Sequence, residues 1–366
     1  MTMCNTDELV QAAGHFIDPN HGKTLAAGRA KIVATQQDNG VVAVTLTLAY
    51  PLDEHQQARL AHNLAQYLVG HTAASAVEVK ITFHIASHNA AATHQGLPGV
   101  KNMIAVASGK GGVGKSTTAV NLALALHSQG ASVGLLDADI YGPSIPMMLA
   151  ISEQPLSPDG KTIMPIVQYG IQTMSVGFLV DPTTPMIWRG PMVSNTLQQL
   201  LVDTCWDNLD YLIIDLPPGT GDIQLTLAQR IPLSGALVVT TPQDIALLDV
   251  RRAIEMFHKV KVPVLGVVEN MSTHVCTQCG HEEAIFGEKG ADQIAQEYQV
   301  DVLGRLPLVK SIRLATDEGK PTVVAAPDSE HTRSYQDIAV KLAARLALTT
   351  KDYQRKFPNI VVETNS

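Results

Sequence analysis

The chain is poor in aromatic residues, charge, cysteine and long apolar runs, and each shortage removes a class of function. Phe, Tyr and Trp make up 4% of 366 residues, too few for aromatic platforms on which successive bases stack. Charged residues account for 16%, and 34 acidic against 26 basic side chains leave a net charge of -8. No global basic field therefore draws the chain to nucleic acid or to anionic lipid. Four cysteines cannot staple a disulfide scaffold. No apolar run approaches the ~20 residues that cross a bilayer; the longest are short pieces such as VVAVTLTLAY at 41–50. The first residues, MTMCNTDELVQ, carry acids early and lack the apolar stretch of a secretory signal. These absences lead us to expect a soluble, cytoplasmic protein with neither a nucleic-acid nor a membrane partner. At about 100–200 residues per domain, the length fits one large domain and a smaller one.

The expected boundary is a linker at 86–100, ASHNAAATHQGLPGV, which is small, polar and without apolar period. Residues 1–85 read as helix, two strands, helix, strand. The helices are at 6–16 and 53–69, the second with Leu60, Leu64 and Leu68 four apart. The strands are at 30–35, 41–48 and 77–85, with the turn signal Asp38-Asn39-Gly40 between the first two. Eight of the 13 histidines (His15, His21, His55, His62, His71, His84, His88 and His94) lie in or beside this module. They share no metal-ligand spacing and read as solvated surface residues.

Residues 101–350 alternate strand and helix, with a short mixed tail at 351–366. Strands at 103–108, 132–137, 211–216, 235–241 and 262–270 are continuous apolar runs, the pattern of parallel strands buried on both faces. Amphipathic helices, for example at 117–129 and 245–259, separate them. The fold class this implies is α/β, a mostly parallel, doubly wound sheet with a small α/β module in front. TIMPIV and IQTMSV around Tyr169-Gly170 read as an inserted hairpin, and 338–348 as a helix packed on the sheet.

The strongest motif is Gly109-Lys110-Gly111-Gly112-Val113-Gly114-Lys115-Ser116, which fits G-x-x-x-x-G-K-S/T. It follows an apolar strand and opens a helix at Thr117, the context of a phosphate-binding P-loop. Glycines let backbone N–H groups turn inward around a phosphate, and the helix N-terminus adds positive potential. Lys115 would bridge the β- and γ-phosphates, and the Ser116 hydroxyl would hold Mg²⁺. Asp215 ends the strand YLIID ahead of Pro217-Pro218-Gly219-Thr220-Gly221-Asp222, and Asp137 and Asp139 end another. Carboxylates at the carboxyl ends of parallel strands face the crevice where ligands bind. Asp215 would hold Mg²⁺ through water, and the Gly219 N–H could meet a γ-phosphate.

The second lysine of the loop, Lys110, gives the pattern K-G-G-x-G-K-S. It resembles the deviant P-loop of the nitrogenase iron protein, the Min and Par positioning ATPases and the iron–sulfur carrier ATPases. That resemblance implies a homodimer in which Lys110 reaches the partner's nucleotide, and it implies Asp139, with Asp137 as the alternative, for orienting the attacking water. It also implies that Asn270, in Glu269-Asn270-Met271-Ser272, reads the adenine edge, so that ATP is preferred; no N-K-x-D guanine motif occurs here. Pro307 would wall the base pocket.

Cys276 and Cys279 form a C-x-x-C in MSTHVCTQCGHEEAIFG. Two thiolates are half of a tetrahedral site. Ligand chemistry leaves three solutions: zinc completed by His274 and His281, a cluster shared between two chains, or a redox dithiol. The order of the P-loop, LLDADIYGPSIPMML, WRGPM, DLPPGTGDIQLTL, TTPQDIAL and ENMS with C-x-x-C resembles the Mrp/Nbp35-type iron–sulfur cluster carrier ATPases over roughly 100–345. The resemblance implies ATP hydrolysis, a labile 4Fe–4S cluster bridging two subunits through Cys276 and Cys279, and apo-proteins and assembly scaffolds as partners; with no strong base evident in the motifs, hydrolysis in isolation is expected to be slow. The first 85 residues loosely resemble the MIP18-like domain that precedes many such ATPases, but Tyr50-Pro51-Leu52-Asp53 lacks the cysteine of that domain. Two other readings are a positioning ATPase of the Min/Par kind and an ATPase with a structural zinc.

Overall fold

The computed structural model describes residues 5–36, 42–88, 96–179 and 190–349. Cys4, the turn at 38–40, His94, Arg189 and the tail at 351–366 lie outside the described residues.

The first unit runs α1 (Thr6–His15), β1 (Lys31–Gln36), β2 (Val42–Leu48), α2 (Glu54–His71), β3 (Val77–Phe83). Strand β2 lies central, antiparallel to β1 and parallel to β3. Helix α2 starts where Asp53 and Gln56 form a reciprocal capping box, and Leu60, Leu64 and Leu68 are its buried stripe.

The larger unit carries ten further strands and nine helices among the described residues. Eight strands form one sheet, in the order β13 (Val302–Leu306), β10 (Val264–Asn270), β9 (Gly235–Thr240), β4 (Val100–Ala107), β8 (Leu209–Asp215), β5 (Val133–Asp137), β7 (Ile171–Ser175), β6 (Ile166–Gln168). All neighbours run parallel except the hairpin β6–β7. The remaining two, β11 (His274–Val275) and β12 (Glu282–Glu283), form a separate antiparallel ribbon. The helices are α3 (Lys115–Ser128), α4 (Ile145–Met148), α5 (Gly190–Asp203), α6 (Asp222–Arg230), α7 (Asp244–Lys259), α8 (Gly290–Tyr298), α9 (Lys310–Asp317), α10 (Thr322–Ala325) and α11 (Glu330–Ala347).

Side chains alternate along each central strand, so each strand feeds two cores. Ile104, Val106, Ile213, Leu237 and Val239 pack toward α3 and α11, while Ala105, Leu212, Ile214, Ala236 and Val238 pack toward α5–α8. The sheet is thus doubly wound. The first unit joins the α3/α11 core, and the Arg29 guanidinium donates to the Thr349 carbonyl beyond α11 at 2.9 Å. No helix of the described residues is long and apolar enough to cross a membrane.

Two of the histidines read as solvated are buried. His21 stacks its Nε2 against Asp18 at 3.3 Å, while Asp18 also accepts from the Tyr50 hydroxyl. Burial lowers the His21 pKa, and the ring's Nδ1 accepts from the Lys23 N–H at 3.1 Å. His88 donates its N–H to the buried Asn102 side chain at 2.9 Å. Asn102 in turn donates to the carbonyls of Ala86 and Asp210. The start of the expected linker is therefore bonded to β4, which itself begins at Val100. Strand β13 was not anticipated: Leu303 and Leu306 are its fully buried residues, too few to stand out as an apolar run.

Candidate functional site

The site lies at the carboxyl ends of β4, β8 and β5, three neighbours in the sheet. The loop from β4 to α3 uses its glycines for different reasons. Gly112 and Gly114 take left-handed backbone at φ 79° and 81°, a region costly for other residues. A Cβ on Gly111 or Gly112 would point into open space, whereas one on Gly109 would collide with Asp249 of α7 and one on Gly114 with the Asn270 amide. The loop is thus an open cradle, braced from behind.

Lys115 opens α3 and is buried. Its Nζ lies 2.5 Å from Asp215 Oδ1, 3.3 Å from Ser116 Oγ and 3.9 Å from Asp139 Oδ2. Register places Asp137 directly beside Asp215 on β5 and β8, so two carboxylates share one buried crevice. Burial, then the Asp215 charge, pushes the Asp137 carboxyl up to about 7. Burial also raises Asp215 and Asp139, in both against the opposing pull of Lys115. Asp137 is turned inward: it accepts from the Asp139 and Ile145 N–H groups at 3.1 and 3.3 Å and from Ser175 Oγ at 3.0 Å. Asp139 is the one of the pair that faces Lys115. The second Asp215 oxygen, Oδ2, is buried without a hydrogen-bond partner among the described residues. An orphaned carboxylate oxygen beside a serine hydroxyl fits a hydrated divalent cation, which prefers oxygen donors and keeps several waters.

Other expected residues have partners that spacing did not reveal. Lys110 Nζ donates to Gln243 Oε1 of its own chain at 3.2 Å. The Gly219 N–H donates to the Ser108 carbonyl at 2.9 Å, in a turn where Gly219 takes φ 101°. Asn270 donates from Nδ2 to the Val113 carbonyl of the phosphate loop at 2.8 Å. Thr117, half-buried on α3, accepts from Asn121 through its carbonyl, and Pro307 follows β13. Gln243 and Asp249 were missed as contributors. TTPQDIAL stood out as a motif, but no spacing tells that the first turns of α7 brace a loop more than 130 residues earlier.

Cys276 and Cys279 sit on the β11–β12 ribbon, beyond the end of β10. The Cys276 N–H donates to the His281 carbonyl and the Gly280 N–H to the Cys276 carbonyl, each at 2.9 Å, with Gly280 at φ 72°. Cys276 is partly exposed and Cys279 exposed. Backbone N–H groups of Cys279 and Gln278, then the Cys279 side chain, hold the Cys276 thiol below its ordinary pKa, as a thiolate ligand requires. The His274 Nδ1 is bonded to the Leu308 carbonyl at 3.0 Å. Among the described residues no three His, Cys, Asp or Glu side chains converge as a metal site, so the zinc arrangement with His274 and His281 is not assembled.

Comparison with known proteins adds the family. The chain is 57% identical over 276 residues to an iron-sulfur cluster carrier protein of Salmonella typhimurium, covering 75% of each chain. It is 52% identical over 252 residues to the iron-sulfur cluster transfer protein NUBPL of Mus musculus, covering 68% of this chain and 79% of that one. Among solved structures, an ADP-bound nucleotide-binding protein of Archaeoglobus fulgidus matches with TM-score 0.56 and 36% identity over 63% of this chain and 90% of that one. The cell division ATPase MinD of Pyrococcus furiosus, at TM-score 0.50 and 22% identity over 67% and 98%, shares the fold. A family model for ParA, described as NUBPL iron-transfer P-loop NTPase, matches residues 99–343. That is more than half of the sequence, and the chain belongs to this family of iron-transfer P-loop NTPases.

Proposed function

We propose that this chain is an ATP-hydrolysing carrier of iron–sulfur clusters that works as a cytoplasmic homodimer. Each subunit gives two thiolates, Cys276 and Cys279, to one labile 4Fe–4S cluster, which passes from assembly scaffolds to apo-proteins. The observation that carries the reading is the ribbon itself: two accessible thiols, one biased toward thiolate, without a third ligand among the described residues. Four thiolates satisfy a cubane cluster, and a second copy supplies the missing two. The names of the relatives support an iron–sulfur cargo, and the ADP held by the Archaeoglobus protein supports a nucleotide in the cradle. The positioning-ATPase reading has only likeness of fold behind it.

In this reading the backbone of 109–114 wraps the phosphates, with Ser116 and Thr117 at the helix start. Lys115 leaves Asp215 to bind the β- and γ-phosphates. Ser116 and, through water, Asp215 would hold Mg²⁺, which would neutralise charge on the phosphate oxygens. Asp139 orients the attacking water, and Gly219 turns its N–H from Ser108 to the γ-phosphate. Lys110 exchanges Gln243 for the partner's nucleotide, stabilising charge in trans. Asn270 reads the adenine edge from the Val113 side. Asp139 is a weak base, so turnover of the isolated chain is expected to be slow. We read residues 1–85 as a separate MIP18-like module, 101–350 as the ATPase and carrier unit.

Anaerobic reconstitution with iron and sulfide tests the proposal. The parent should take up about four iron per dimer, and the Cys276→Ala, Cys279→Ala variant none. One tightly held zinc per monomer that resists iron would overturn it. Lys110→Ala should lose hydrolysis and keep ATP binding; unchanged turnover would remove the trans role.

A further inference from the structure

The stretch between Asn270 and Cys276 is bonded at both ends and along its length. At one end the Asn270 amide donates to the Val113 carbonyl inside the phosphate loop at 2.8 Å. Met271 then takes left-handed backbone at φ 57°, turning the chain out of β10. The next residues stay zipped to the segment leaving β13. The Ser272 N–H and hydroxyl both donate to the Leu306 carbonyl, at 3.0 and 3.1 Å. The Leu308 N–H donates to the Thr273 carbonyl at 2.7 Å. The His274 ring closes the series with Nδ1 on the Leu308 carbonyl at 3.0 Å. A carbonyl only accepts, so Nδ1 carries the proton and the ring is fixed in one tautomer.

Past His274 the ribbon is two short strands, and the chain rejoins the fold at α8, where the Ala291 N–H donates to Glu269 Oε2 at 2.7 Å. Strands β11 and β12 have two residues each, and a two-stranded ribbon of that size does not hold its own orientation in water. The anchor nearer Cys276 is that of the first strand. That anchor is His274, two residues before Cys276, bonded to the same loop that Pro307 occupies at the edge of the expected base pocket. Phosphate loop, Asn270, Ser272, His274 and Cys276 thus form one continuous bonded strip.

We propose that this strip transmits nucleotide occupancy to the cysteine pair, and that His274 is a positioning residue for Cys276 and Cys279 and not a ligand. The proposal rests on the reading of the two sites as nucleotide and cluster sites. Any occupant that draws Asn270 off Val113, or shifts the loop beneath it, moves a strip whose far end carries the thiols. Coupling between two bound ligands is reciprocal, so a ligand held by the thiols would change nucleotide affinity by the factor by which nucleotide changes that ligand's affinity.

The test uses the full-length, reduced, cluster-free chain, in which no cluster activity enters. Alkylation rates of Cys276 and Cys279 by iodoacetamide are followed by peptide mass spectrometry, with and without Mg-ADP or a non-hydrolysable Mg-ATP analogue. In the parent, saturating nucleotide should change these rates by ~5-fold or more, the lower end of ordinary coupling between sites. His274→Ala should bind nucleotide as the parent does while the ratio falls to about one, no coupling. His274→Asn, whose amide can donate to Leu308, should restore it. His274→Phe fills the space of the ring without the donor and should fail like His274→Ala. A parent-like ratio in His274→Phe overturns the proposal whatever His274→Ala does. Nucleotide binding without change in thiol reactivity in the parent overturns the coupling alone, whereas a parent that binds no nucleotide overturns the carrier reading with it.

Discussion

The phosphate loop and the cysteine ribbon solve opposite problems with the same chain. The loop sits at the ends of three buried parallel strands, with Lys115 nearly inaccessible and the Asp137 and Asp215 carboxylates fully so. The ribbon is two residues wide on each side, with Cys279 in solvent. Under the proposed function, charges are held where water is scarce because low dielectric would strengthen their grip on phosphate and metal. Thiols that on the same proposal are shared with a second chain and surrendered to a third protein have to be reachable. Rigidity belongs to the site that keeps its ligand, access to the one that gives its ligand away.

Breaking the buried side should have the larger effect. Lys115→Ala removes at least one charge-assisted contact to phosphate, and such contacts contribute about 1.5–3 kcal/mol each. Nucleotide affinity by calorimetry should fall on the order of 100-fold, which corresponds to about 2.7 kcal/mol; a loss under tenfold would contradict the assignment. On the exposed side, Cys276→Ser with Cys279→Ser should abolish iron uptake yet change unfolding free energy by no more than about 0.5 kcal/mol, as for surface positions. A large drop in denaturant midpoint would mean that the ribbon is structural after all.

Two smaller effects sharpen the buried side. The Asp137 carboxyl, raised to about 7 by burial and by Asp215, binds a proton in the fold that the unfolded chain releases near pH ~3.9. Its stabilising share is full below the unfolded value and is lost as pH rises through about 7. The melting temperature of the parent relative to Asp137→Asn should therefore decline from about pH 5 to pH 8; a difference that grows with pH would reject the assignment. Gly219→Ala places a side chain at φ 101°, where left-handed backbone costs roughly 1–2 kcal/mol. Thermal unfolding should register that loss, and no loss would show that the turn relaxes freely.

Much of this was legible before any coordinates. Apolar runs marked the central strands to within a few residues, and Gly-rich spacing marked the cradle, because both are local patterns. Strand β13 was hidden because an edge strand beside β10 buries few side chains. The burial of His21 and His88 could not be read, since Tyr50 reaches Asp18 and His21 only when the first unit folds, and Asn102 reaches His88 only when β4 lies beside the expected linker. The roles of Asp137 and Asp139 stayed open in the sequence: two carboxylates two residues apart look alike until Ser175, from another strand, claims one. Likewise the Asn270 contact to Val113 joins residues 157 positions apart, beyond the reach of any spacing rule.

Under the proposed function, the contact between Lys115 and Asp215 would also make the crevice a coincidence detector. Lys115 cannot turn to a phosphate without leaving Asp215 bare, and Asp215 cannot turn to a cation without leaving Lys115 bare. A stranded buried charge costs several kcal/mol, so either exchange alone is opposed. Made together, the two exchanges trade partners at constant charge. Nucleotide affinity should accordingly depend steeply on Mg²⁺ in a titration, and Lys115→Met should flatten that dependence. On that proposal the Lys115–Asp215 ion pair would also be the gate that admits nucleotide and metal only as a couple.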